Sequence, residues 1–85
     1  MVGVKEIQSC LVALGVLEDG NTVSADESLF ELGLIDSLTI TMLVTELEAK
    51  FKIHVPEYDL LPDNFDTINA IAAYVNKRRH QSAIN

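Results

Sequence analysis

Few residues in this chain have the chemistry to do more than pack or face water, and one serine stands out by position. Ser37 follows Asp36 directly and precedes an apolar stretch that begins at Leu38. That pattern marks a helix start, with Asp36 or Ser37 as the N-cap. A first-turn hydroxyl lies beside backbone N–H groups that lack helical partners and beside the positive end of the helix dipole. A phosphate ester is favoured at such a place. The plain alternative is a cap and nothing else. No Gly-x-Ser-x-Gly elbow surrounds Ser37, so no local base activates it. The two histidines, His54 and His80, are far apart in the chain and have no ligand-spaced partners. Neither a catalytic residue nor a metal site is expected. A small hydrolase pairing Ser37 with either histidine lacks any oxyanion signature. Glu18–Asn21 and Asp63–Asp66 are acidic but do not match a calcium-binding loop.

The elements that must position Ser37 read as helices. Val4, Ile7, Leu11 and Leu14 recur at steps of three and four, and Leu17 follows. This first helix is expected to close near residue 17, at Gly15 and the Glu18–Asn21 cluster. Cys10 lies beside its stripe and reads as a packed thiol. A long polar connection covers 18–36, with Leu29, Phe30, Leu32 and Leu34 as its anchors and Ser28–Leu32 suited to a turn of helix broken by Gly33. The second helix starts at Asp36–Ser37 and puts Ile40, Leu43, Val44, Leu47 and Phe51 on one face. Ile53–Pro56 is an extended exit. Glu57–Leu61 is expected to make a short helical turn that stops before Pro62, and Asp63–Thr67 a capping stretch with Asp66 or Thr67 as N-cap. A last helix carries Ile68, Ile71, Ala72 and Val75, with Lys77–His80 expected at its C-terminal end, where the helix dipole favours cations. The fold class is all-α: a small four-helix bundle of three long helices and one short, with a long loop between the first two.

The 85 residues allow one domain, 1–85, with 81–85 expected to form a frayed tail. Thirteen acids against six Lys and Arg give a net charge of −7. Residues 1–76 hold only Lys5, Lys50 and Lys52 against every acid in the chain. Such a body repels nucleic-acid backbones and anionic lipid, and favours partners with basic patches. The longest apolar run, Cys10–Leu17, is far below the roughly 20 residues of a membrane span. The start of the chain does not read as a signal peptide, and a lone cysteine suits a reducing compartment. A cytoplasmic monomer is the expectation.

Leu29-Phe30-Glu31-Leu32-Gly33-Leu34-Ile35-Asp36-Ser37-Leu38 resembles the prosthetic-group attachment site of acyl carrier and peptidyl carrier proteins. Leu47–Pro56 looks like that family's helix end and following loop, and Asn64–Ile68 like the entry to its last helix. The resemblance covers roughly residues 4–78. It implies 4′-phosphopantetheine, delivered from coenzyme A by a phosphopantetheinyl transferase, on Ser37, flanked by Asp36 and Leu38. It further implies a non-catalytic carrier that shuttles acyl or aminoacyl thioesters between loading and processing enzymes. Two departures qualify it. Two residues, Leu34 and Ile35, separate Gly33 from Asp36, where fatty-acid carriers have one; this spacing looks more like D-alanyl carriers and discrete carriers of specialised metabolism. Thr39 and Met42 stand where fatty-acid carriers bear acids early in the helix. The partner face is therefore expected to comprise Asp36, Thr39, Thr41, Met42, Glu46 and Glu48, with less charge and more contact. Specialised or amino-acid-linked biosynthesis is the expected setting, fatty-acid synthesis the alternative, and an acidic helical adaptor without a prosthetic group the alternative of another class. Leu43, Leu47, Ile68 and Ile71 would line any shelter for an apolar cargo; plain core packing is the competing role.

Overall fold

Helix α1 spans Val4–Ala13, α2 Ser37–Phe51, α3 Pro62–Phe65 and α4 Ile68–Ile84, with a 3-10 turn at Glu57–Asp59. The computed structural model describes residues 1–18, 20 and 23–84, the last four by backbone alone. The frayed tail expected over 81–85 and part of the Glu18–Asn21 cluster lie outside the described side chains. Among the described residues there is no strand, and no helix is long and apolar enough to cross a membrane.

Side-chain caps start α2, at Asp36, and α4, at Thr67. At α1 the Glu6 carboxylate reaches back to the Gly3 N–H at 2.6 Å, a bond that holds Glu6 below the usual carboxylate range. The helix ends at Ala13, earlier than residue 17. Gly15 takes φ +78°, Val16 donates to the Leu11 carbonyl at 2.9 Å and Gly15 to that of Val12 at 3.0 Å. These are the two bonds of a Schellman close, which needs a left-handed residue at the glycine position. Leu17 is still buried, carried inward by the turn instead of by the helix.

The turn expected before Pro62 forms, and the short α-helix lies just after it. Glu57–Leu61 forms only the 3-10 turn, and the short α-helix is α3. Pro62, expected to stop a helix, sits at the first position of α3. There its fixed φ fits and its missing N–H leaves nothing unpaired. The Lys77–His80 run is displaced relative to its helix. The α4 backbone is helical through Ile84, so no basic residue occupies its last turn. The dipole does not explain these charges, because its influence fades within one turn of the end.

Long-range hydrogen bonds fix the two ends of the bundle. At one end, Asn76 clamps the backbone of Val2: Val2 N–H donates to Asn76 Oδ1 and Asn76 Nδ2 donates to the Val2 carbonyl, each at 2.8 Å. Arg78 Nε donates to the His54 carbonyl at 2.9 Å. At the other end, Asn69 holds Ala25 and Asp26 against the start of α4, through its N–H at 3.0 Å and Nδ2 at 2.6 Å. Between them, Ile7, Leu11, Leu29, Leu43, Leu47, Phe65, Ile68, Ile71 and Val75 are fully buried. The helical faces thus pack as their periodicity requires. Leu29 comes from the connection, so the loop is part of the core.

Candidate functional site

The approach to Ser37 is built by a turn of helix and a glycine. Leu32 N–H donates to the Ser28 carbonyl at 3.1 Å, Gly33 to that of Phe30 at 3.0 Å and Leu34 to that of Leu29 at 2.9 Å. Gly33 has φ +72°, so this too is a Schellman close. The glycine of the Leu-x-x-Gly pattern is thereby explained: any side chain there is held in a strained backbone. Asp66 ties the turn to the α3–α4 corner. Its Oδ1 accepts from Ser28 Oγ at 2.7 Å and from Phe30 N–H at 3.3 Å, and its carbonyl accepts from Leu29 N–H at 2.7 Å. Buried Leu29 and Ile35 anchor the turn on either side of Gly33.

Asp36 is the N-cap of α2. Its Oδ1 accepts from Thr39 N–H at 2.9 Å and from Thr39 Oγ1 at 3.0 Å. The Thr39 backbone bond, then its hydroxyl, holds the Asp36 carboxyl below the usual range, so it is ionised at neutral pH. Ser37 is the first residue of the helix and is exposed. Thr41 Oγ1 donates to the Ser37 carbonyl at 3.1 Å, and Thr45 Oγ1 to that of Thr41 at 3.0 Å. The hydroxyl of Ser37 is presented to solvent on a capped helix start. As an accessible alcohol it has the chemistry of a group-transfer acceptor.

The other sequence-singled residues divide into two groups. Leu38 is 72% exposed and Met42 46%, and Thr41 is exposed as well. At 100° per residue they share the outward side of α2 with Thr45 and Ala49, both exposed. No charge interrupts residues 37–45. Thr39 is half-buried and engaged with Asp36. Glu46 and Glu48 are half-buried on the flanks. Glu48 Oε2 accepts from Val55 N–H at 2.9 Å and lies 3.5 Å from His54 Nδ1, so it holds the exit loop of α2. Thr45 was not singled out by sequence, although the step of four from Thr41 is its signal. The sequence marks Asp66 as an N-cap candidate, a role Thr67 takes, and gives no sign of its partnership with Ser28, which spans 38 residues.

Ser37 and His54 lie at opposite ends of α2, about 20 Å apart at 1.5 Å per residue. They form no catalytic pair. Cys10 is buried, and burial pushes its thiol pKa up, so it is unreactive. Among the described residues no three His, Cys, Asp or Glu side chains gather as a metal site. An open groove of about 320 Å³ is lined by Asp59, Asp63, Asn64, Tyr74 and Lys77, and by neither Leu43, Leu47, Ile68 nor Ile71, which are fully buried in the core.

Residues 8–75 match the family model for the phosphopantetheine attachment site. The chain belongs to that family. It is 37% identical over 57 residues to the D-alanyl carrier protein of Lactococcus lactis subsp. lactis (strain IL1403), covering 67% of this chain and 72% of that one. It is 38% identical over 55 residues to the D-alanyl carrier protein of Streptococcus thermophilus (strain ATCC BAA-491 / LMD-9), covering 65% and 70%. It is thus a carrier protein of the acyl and peptidyl carrier type, close to D-alanyl carriers. The carrier family is non-catalytic and holds 4′-phosphopantetheine covalently. The residues here fit that group: a serine hydroxyl on an exposed first-turn residue, bounded by exposed Asp36 and Leu38.

Proposed function

We propose that Ser37 is the attachment serine and that the chain carries an aminoacyl or short acyl group between a loading enzyme and an acceptor. The carrying observation is the exposure of Ser37 at the first position of α2, held by the Asp36 cap behind it and the Gly33 turn before it. The prosthetic group supplies a long arm whose terminal thiol holds the cargo as a thioester. The chain's own residues anchor and orient. Thr39 and Thr41 lock the first turn, so Ser37 Oγ leaves the surface from a rigid base. The helix start favours the negative charge of the phosphodiester. Tethering raises the cargo's effective concentration at a docked enzyme.

The burial of Leu43, Leu47, Ile68 and Ile71 in one core cluster is the packing role and favours a small cargo. The similarity to D-alanyl carriers points the same way. Leu38, Thr41, Met42 and Thr45 give docking enzymes an uncharged strip beside Ser37, bounded by Asp36 and, along the helix, Glu46. The chain acts as a cytoplasmic monomer, modified by a phosphopantetheinyl transferase.

Incubation with coenzyme A, Mg²⁺ and a broad-specificity transferase should add about 340 Da, one phosphopantetheine. Ser37→Ala should add nothing. An unchanged wild-type mass would leave an acidic adaptor module in place of a carrier.

A further inference from the structure

Asp66 is half-buried beside the start of α4, yet the cap there is Thr67, whose Oγ1 accepts from Ala70 N–H. The polar atoms of Asp66 are turned onto the long connection instead. Oδ1 accepts from Ser28 Oγ at 2.7 Å and from Phe30 N–H at 3.3 Å, and the carbonyl accepts from Leu29 N–H at 2.7 Å. The Ser28 hydroxyl is thereby given a direction. Its proton is donated to Asp66, and its oxygen accepts from Glu31 N–H at 3.1 Å. Asp66 thus sets the hydroxyl that caps the turn at its start, while Gly33 with φ +72° closes the turn at its end. A residue of the α3–α4 corner is in this way built into the turn that leads to Ser37.

Ser37 and that turn are held by different bonds. Ser37 stands on α2 behind the Asp36 cap, and the turn stands on the α3–α4 corner through Asp66. The outward side of the turn is Glu31, Leu32 and Gly33, all exposed; Leu32, an expected anchor, is 46% exposed instead. Three residues, Leu34, Ile35 and Asp36, separate this side from Ser37. We infer that Asp66 is a positioning residue for the modification of Ser37: acting through Ser28, it holds the Glu31–Gly33 side of the turn where a docking transferase meets it. The inference rests on the carrier reading and adds a residue that does not touch the reacting atoms. Cutting the tie leaves Ser37 and its cap in place and frees the turn, which must then be ordered at each docking. That ordering weakens the bound ground state and transition state alike, so KM rises and kcat is kept.

The test follows the mass gained from coenzyme A with a broad-specificity transferase, measuring kcat and the KM for the chain separately. Asp66→Ala should raise KM about three- to tenfold and keep kcat within about twofold, the cost of ordering a side chain or two. Asp66→Asn keeps an acceptor oxygen for Ser28 and Phe30, and its KM should stay within about twofold of wild type. Ser28→Ala cuts the same tie from the other side; it should raise KM as Asp66→Ala does, with no further rise in the double variant. Thr67→Ala weakens the same corner without touching the tie and should leave KM at the wild-type value. Circular dichroism checks that the helices are kept, and Ser28→Ala carries the comparison if Asp66→Ala loses them. An unchanged KM in the Asp66 and Ser28 alanine variants overturns the inference and leaves the carrier reading intact. So does an equal rise in Thr67→Ala, which would reduce the effect to the stability of the corner, or in Asp66→Asn, which would make it one of charge. A wild type that gains no mass overturns the carrier reading itself.

Discussion

Two helix starts in this molecule have nearly the same local sequence and opposite uses. Ile35-Asp36-Ser37-Leu38 opens α2, and Phe65-Asp66-Thr67-Ile68 opens α4. Both read apolar, aspartate, hydroxyl, apolar. In the first, the aspartate is the cap, the hydroxyl residue is the first helical residue, and the following leucine is 72% exposed. In the second, the helix begins one residue later, Thr67 Oγ1 accepts from Ala70 N–H at 2.9 Å, and the following isoleucine is fully buried. There Asp66 is released from capping and turned onto Ser28 and Phe30. One residue of register decides whether a hydroxyl is spent on the fold or left exposed. The α4 start is structural throughout. The α2 start gives its cap to Asp36 and keeps Ser37 free.

Substitutions at paired positions should therefore separate stability from function. The largest difference is expected at the apolar residue. Ile68→Ala should cost roughly 2–5 kcal/mol in chemical denaturation, the range for emptying a packed site. Leu38→Ala should stay within about 0.5 kcal/mol of wild type, as exposed sites do, while lowering kcat/KM for the transferase. Similar stability losses for both would show that Leu38 is held in the fold.

The hydroxyl residues come next. Thr67→Ala should cost about 1 kcal/mol, the loss of an N-cap. Ser37→Ala should leave the unfolding midpoint nearly unchanged. A large loss at Ser37 would make it the cap and contradict the register described above.

The smallest effect concerns pH. Asp36 has its carboxyl lowered in the fold by the Thr39 N–H and hydroxyl. Its stabilising contribution is complete above the unfolded value near 4 and is lost as pH falls through the folded value. Between pH 7 and 5 the contribution of Asp36 should thus not vary with pH, and the acid limb below about pH 4 should flatten in Asp36→Asn. Tyr74 offers an alkaline counterpart. Burial, and then the hydrogen bond to Asp59 at 2.7 Å, raises its pKa above the usual value near 10. Its contribution is present below pH 10 and lost above, and Tyr74→Phe should flatten that limb.

Much of this is legible in the sequence because it depends on neighbours. The faces of α1, α2 and α4 follow from steps of three and four, and the exposure of Ser37 follows from its place in the first helical turn. The glycine at 33 is legible as a break, though its role as the left-handed residue of a closed turn needs the bonds around it. What sequence conceals are the long-range partnerships. Nothing near Asp66 indicates that it holds a turn 38 residues earlier. Nothing near Glu48 shows that its carboxylate is occupied by the Val55 N–H and so is only partly available to a partner. Pro62 is ambiguous for a different reason: the same ring that ends one helix starts another, and here it starts the helix that carries Phe65 against Tyr74, with ring centroids 5.4 Å apart.

The central claim is that the first-turn hydroxyl of α2, and no other, receives the prosthetic group. Fragment-ion mass spectrometry of the protein purified from its own cells tests it directly. The account predicts phosphopantetheine on Ser37 alone; the group on any other residue, or a fully bare Ser37 in cells that modify their other carriers, would contradict it.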